Sequence, residues 1–192
     1  MNGAKSYEKE FWSKSDFISD AGIDYGTYDE NGKPNAMNAA WGGISEETQI
    51  SICVDDGHKT SKNVVKTGAF TVSIADVENV VACDYVGIVS GNKEFDKIEK
   101  AGWRVTKSEF VDAPLFDELP MALECELISY DEETCRLVGE IVNVCADERI
   151  LDENGKIDLN KFSPITYDPV HHTYRKIGDV VGKAFSDGMK LK

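Results

Sequence analysis

At 192 residues, with 41% hydrophobic and 29% charged side chains, the chain has the make-up of one globular domain able to bury roughly two-thirds of its unfolded surface. Thirty-five acidic against 21 basic residues give a formal net charge of −14, which repels phosphate backbones and anionic lipid and disfavours nucleic-acid and membrane partners. No apolar run approaches a membrane span, and no h-region follows Met1-Asn2-Gly3-Ala4-Lys5, so a cytoplasmic location is expected.

In chain order, Tyr7 to Trp12 is amphipathic enough for a short helix on a peripheral segment, 1–17. Ile18 to Tyr28 leads into the turn Asp29-Glu30-Asn31-Gly32-Lys33-Pro34. Its Asn-Gly pair suggests a type I′ hairpin, with both central residues at positive φ. That places Asn35 to Trp41 on a returning strand. Thr48 to Val54 alternates as a half-buried strand and ends in the turn Asp55-Asp56-Gly57. A helix follows, with Thr60 as N-cap, Val64 and Val65 on one face, and Gly68 at its C-terminus. Ala69 to Ala75 alternates as another strand. Glu78 to Val89 reads as helix, Ser90-Gly91 interrupts it, and Phe95, Ile98 and Trp103 suggest a second, short helix ending at Gly102. Met121–Tyr130 and Arg136–Ala146 read as strands, the latter too rich in β-branched residues for helix. Asp152 to Lys156 is a second Asn-Gly turn.

Five cysteines, Cys53, Cys83, Cys125, Cys135 and Cys145, are scattered without a CxxC pair and read as buried free thiols. Strands outnumber helices, and the strand–helix–strand rhythm of a parallel sheet is missing. The expected fold is therefore mainly β: an antiparallel barrel, closed or partly closed, with a few attached helices, in a single domain over 1–192.

The stretch Asn35-Ala36-Met37-Asn38-Ala39-Ala40-Trp41-Gly42-Gly43 is unusual for a surface loop. Small residues and paired glycines flank an aromatic ring, which suits a flat ligand lying against main-chain N–H groups. A hairpin end with Trp41 as a core plug is the alternative. Lys59-Thr60-Ser61-Lys62, at a helix start, offers N–H groups, two hydroxyls and two ammonium groups, a combination suited to a phosphate. An ordinary capped surface helix has the same pattern. His171-His172, in an extended segment, would point to opposite faces and so not share a metal; no cluster has ligand spacing and no metal is expected. G-x-S-x-G, P-loop and G-x-G-x-x-G motifs are absent.

Asn35, Met37, Asn38, Ala40, Trp41 and Gly42 resemble the N-x-M-T-x-S-W-G signature of the flavin reductase-like family, with Asn38 in place of Thr. Ser90-Gly91 through Asp96-Lys97 is similar to its S-G-x-x-x-D-K segment. Pro164-Ile165-Thr166-Tyr167, with Tyr174 and Gly178, follows in the family's order. The similarity runs from about Ile18 to the C-terminus and is nearest to flavoredoxin-type members.

The resemblance implies an FMN-binding split β-barrel, a homodimer with FMN near the interface, and a site made by Asn35, Met37, Asn38, Ala39, Ala40, Trp41, Lys59, Thr60, Ser90, Gly91, Lys97 and Tyr167. Lys97 would stand near the N1/O2 edge of the flavin, where a cation favours the anionic reduced ring. Asp96 would orient Lys97 or cap a helix. Asn38 removes the family's hydroxyl at that position, and the His that some relatives have near Thr134–Arg136 is absent. The implied function is electron transfer or NAD(P)H-dependent flavin reduction by an FMN-dependent oxidoreductase, with NAD(P)H or a redox protein as partner. No catalytic side chain is required, because the flavin performs the chemistry. A non-catalytic flavin- or small-ligand-binding barrel, acting as sensor or store, is the alternative.

Overall fold

The computed structural model describes residues 22–192; the helix expected at Tyr7–Trp12 lies outside them. The first hairpin joins β1 (Ile23–Tyr28) to β2 (Pro34–Ala39), with Tyr28 opposite Pro34. Its turn is not type I′. Only Gly32 has positive φ, +74°, while the Asp29 carboxylate accepts the N–H groups of Asn31 and Lys33 at 2.9 and 3.0 Å. A five-residue connection leaves room for an Asp-capped turn with one left-handed glycine. The same five residues, Asp-Glu-Asn-Gly-Lys, recur at 152–156, and there Gly155 sits at φ +74° while Asp152 Oδ1 again accepts two N–H groups.

After Trp41, in the bend after β2, come β3 (Gly42–Glu46) and β4 (Gln49–Cys53), then α1 (Lys59–Thr67), β5 (Ala69–Ile74), α2 (Val80–Ile88) and α3 (Lys97–Lys100). The short pair β6 (Val105–Lys107) and β7 (Pro114–Phe116) precedes the long hairpin β8 (Met121–Asp131) and β9 (Arg136–Ala146). A final hairpin is β10 (Ile165–Asp168) with β11 (Thr173–Lys176). Seven strands form one curled antiparallel half-barrel in the order β2-β1-β5-β8-β9-β4-β3. Two irregularities in the β8–β9 register, at Glu124/Cys125 and Leu127/Ser129, fall where extra residues bend a strand.

The inside of the curl is the main core. Phe70, Val72 and Ile74 of β5 meet Leu123, Leu137, Ile141 and Phe162 there. The other face of β5 is buried too: Thr71 donates to the Pro114 carbonyl at 2.6 Å, and Ser73 is fully enclosed. A second apolar cluster puts α2, through Cys83 and Val86, against Ala36 of β2 and Ala75. A carboxylate of β8, Glu124, is fully buried and accepts from Ser108 and Asn143.

Several expectations are corrected. Thr60 is not the N-cap of α1; His58 is, and Thr60 lies buried inside the helix. Val64 is buried but Val65 is 52% exposed, since neighbouring helical residues point about 100° apart and the buried stripe runs through Thr60, Ser61, Asn63 and Val64. The five cysteines are free, but Cys53 is exposed and Cys135 half-buried, because they stand near the open ends of β4 and β9. Residues 169–172 form a turn rather than an extended segment; His171 contacts Asp168, and His172 contacts the Tyr167 hydroxyl at 2.8 Å.

Candidate functional site

Strand β2 is the backbone of the site. At its start a cleft of about 130 Å³ is lined by Asn35, Met37, His58, Lys59, Thr60, Gly87, Ile88, Val89, Ser90, Gly91 and Lys97. At its far end a second cleft of about 270 Å³ is lined by Gly22, Asn38, Ala40, Trp41, Gly42, Thr166 and Tyr167. Gly87 lies where α2 meets β2: a Cβ there would lie 3.1 Å from that of Asn38, so a larger residue would push α2 and β2 slightly apart.

Of the twelve residues implied by the sequence, seven meet in the first cleft and four in the second. Ala39 lines neither and packs against the main core. His58, Gly87, Ile88 and Val89 carry no separate signal in the sequence. These are ordinary helix-end residues, and only the docking of α1 and α2 on β2 brings them together.

In the first cleft, buried Asn35 donates from Nδ2 to the Thr60 hydroxyl at 2.9 Å. Gly91 lies against the same amide: a Cβ at 91 would fall 2.1 Å from Asn35 Oδ1. Lys59 reaches Asp29 at 3.3 Å. Burial acts to raise the Asp29 carboxyl, but the N–H groups of Lys33 and Asn31 and the Lys59 ammonium together hold it below its ordinary value. The four-residue cradle is thus smaller than its sequence suggests. The Ser61 hydroxyl is turned to the carbonyls of Asp55 and His58, and Lys62 does not line the cleft.

Lys97 is only 4% exposed, yet it lines the cleft and has no acidic partner within 4.0 Å among the described residues. Burial pushes its ammonium down to about 8, while the charge of Asp24 works the other way. Asp96 does not orient it; that residue starts α3 without a side-chain cap and pairs with Lys33 at 3.6 Å.

In the second cleft Trp41 is 63% exposed, so it is no core plug. Asn38 donates to Asp24 Oδ1 at 3.1 Å. Tyr167 packs 6.0 Å, centroid to centroid, from Tyr174, whose hydroxyl donates to Asp84 at 2.8 Å. A Cβ on Gly42 would fall 2.9 Å from the Tyr25 hydroxyl, itself buried without a partner, so the backbone at this end must approach closely.

A flavin reductase like domain is recognised over residues 26–174, most of the chain and all of both clefts except Gly22. The chain belongs to the flavin reductase-like family. This flavin reductase-like protein is similar to the flavoredoxin of Desulfovibrio vulgaris (Miyazaki F), at 38% identity and a TM-score of 0.83, over 90% of this chain and 94% of that one. It also resembles a flavoredoxin from Methanosarcina acetivorans, at 27% identity and a TM-score of 0.81, covering 96% and 100%. An FMN-binding domain of a flavin reductases-like enzyme from Shewanella baltica OS155 shares the fold at 16% identity and a TM-score of 0.82, covering 93% and 98%. An uncharacterized protein of Aquifex aeolicus is 31% identical over 111 residues, 55% of either chain; the chain spans about half the length of the curated relatives it matches.

The donor set suits an FMN. A phosphate needs cations and hydroxyls, present as Lys59 and Thr60 beside the first turn of α1, where N–H groups have no intrahelical partner. The polar edge of a flavin ring needs a nearby donor or cation, and buried Lys97 lines the same cleft as the Asn35 amide. Gly91 and Gly42 keep open the close approaches that a side chain would fill. Among the described residues no group of three metal-capable side chains is gathered, and no helix is long and apolar enough to cross a membrane.

Proposed function

We propose that this protein is an FMN-binding redox flavoprotein of the flavoredoxin type. The observation that carries the reading is Lys97: a buried lysine, without an acidic contact, placed on the wall of a cleft that also presents Thr60 and Lys59. A protein of net charge −14 gathers three cationic or hydroxyl-bearing side chains at one concave spot, which favours an anionic ligand there. Lys59 and Thr60 hold the phosphate, Asn35 fixes the Thr60 hydroxyl, and Lys97 serves the polar edge of the ring. Trp41 and Tyr167 flank the far end of β2 as aromatic surfaces for a flat ring. When bound, FMN supplies the hydride or electron chemistry, and no side chain here is needed as an acid or base.

Electron transfer to a protein partner and NAD(P)H-dependent reduction both remain within this reading. We place the site near the interface of a homodimer. The exposure of Trp41, beside a shallow groove that includes Ser51, Cys53 and Arg136, supports that placement. The test is the visible spectrum of purified protein mixed with FMN and passed through a desalting column. Retained flavin absorbance, bleached by a reductant and restored by air, is the expected result. Colourless protein after that treatment refutes the proposal. Steady NAD(P)H oxidation without a partner protein would assign the reductase mode, and sedimentation of a flavin-loaded monomer would refute the interface placement.

A further inference from the structure

On β1, the strand paired with β2, lies a carboxylate that lines neither cleft. Asp24 of β1 is fully buried. It sits opposite Asn38 in the β1–β2 register and accepts that residue's amide through Oδ1. Oδ2 is enclosed, and among the described residues the weak thiol donor of Cys83 is the only hydrogen-bonding group beside the carboxylate apart from Asn38. A buried acid held by one amide and a weak thiol donor is poorly compensated, which points to a charge that serves something nearby. The groups facing it are Asn38 from β2, the Cys83 thiol from α2, Asp76 after β5, and Lys97 from α3; Tyr174 of β11, bonded to Asp84, is also within electrostatic reach. Lys97 is the only cation in that set.

We infer that Asp24 is a positioning residue for the cleft: it is the buried counter-charge that keeps the Lys97 ammonium protonated at the wall where the flavin binds. The two charges do not touch, so the pair leaves the ammonium able to contact a ligand, whereas a direct ion pair would consume it. The inference rests on the FMN reading above and adds to it a residue outside both clefts.

The test is FMN affinity, read by flavin fluorescence quenching between pH 7 and pH 9, above the second ionisation of the phosphate near 6. In the unmodified protein affinity falls as pH rises through about 8, where Lys97 loses its proton. In Asp24→Asn the same fall comes at a pH lower by about one unit, leaving affinity about fivefold weaker at pH 8. Asp24→Glu restores the profile, and Lys97→Met is flat across the range. A purely structural role for Asp24 would weaken binding equally at every pH, and that outcome, or a curve for Asp24→Asn that overlays the unmodified protein, overturns the inference. If Asp24→Asn does not fold, Asp24→Ser answers the same question. Unmodified protein that takes up no FMN at any pH defeats the flavin reading itself, whereas binding without the shift defeats only the role of Asp24.

Discussion

Gly91→Ala tests the inner architecture of the first cleft without touching any polar atom. The new Cβ would lie 2.1 Å from Asn35 Oδ1, 3.2 Å from Asn35 Cγ and 3.3 Å from Lys59 Cβ. The first distance is untenable and the others are tight, so the amide must swing away. Doing so breaks its 2.9 Å bond to the Thr60 hydroxyl and leaves a buried amide short of a partner. A net loss of about 1–2 kcal/mol follows from a buried neutral hydrogen bond and its unsatisfied remainder. Both groups line the cleft, so FMN affinity should fall by roughly 5–30-fold, read by fluorescence titration. The melting temperature should fall by about 2–8 °C. In an Asn35→Ala background the clashing atoms are gone, and Gly91→Ala should then cost little, since only the Lys59 Cβ contact remains. Equal costs in the two backgrounds, or unchanged FMN affinity in the single variant, would refute the proposed coupling between Gly91, Asn35 and Thr60.

Trp41→Ala should leave thermal stability within about 0.5 kcal/mol, because the ring is 63% exposed, while lowering FMN retention; a marked loss of stability would instead make it a packing residue. Asp24→Asn should stabilise the fold at pH 8 more than at pH 5. Burial, the largest cause, raises the Asp24 carboxyl to about 6 from 3.8. The folded state therefore holds a proton that the unfolded chain has released, and this stabilising contribution is complete below 3.8 and lost as pH rises through 6. Melting curves of both proteins at the two pH values check the sign, and an equal gain at both would contradict it. Gly139→Ala should destabilise by about 1–3 kcal/mol in denaturant titration, since its Cβ would lie 2.4 Å from Phe70 Cζ in the packed core; a neutral result would mean that β9 can shift there.

Much of the strand inventory was legible. Gln49–Cys53, Ala69–Ile74, Met121–Asp131 and Arg136–Ala146 fall within a residue or two of where alternation and β-branching put them, and the left-handed Gly68 closes α1 as expected. Less visible were β3, with its two glycines, the three-residue pair β6–β7, and β10–β11, whose segments are too short or too polar for a period to show. In the candidate site, residue types were readable but their surroundings were not. Lys97 stands among Lys93 and Lys100, and nothing in its neighbours says that it alone is buried.

What the sequence determined by itself is local. Asp-Glu-Asn-Gly-Lys forms the same aspartate-capped turn at 29–33 and at 152–156, because the carboxylate, the N–H groups it accepts and the left-handed glycine all lie within five residues. Tertiary structure alone decided which face of each element meets another. The packing of α2 and α3 on β2 buries Lys97 and aligns Gly91 with Asn35. The pairing of β1 with β2 slides Asp24 beneath Asn38. Charge and shape at the clefts come from residues far apart in the chain, such as Tyr174 and Asp84, bonded across 90 positions, and Asp24 and Lys97, coupled across 73, and electrostatic energy depends on distance and burial that no local pattern encodes.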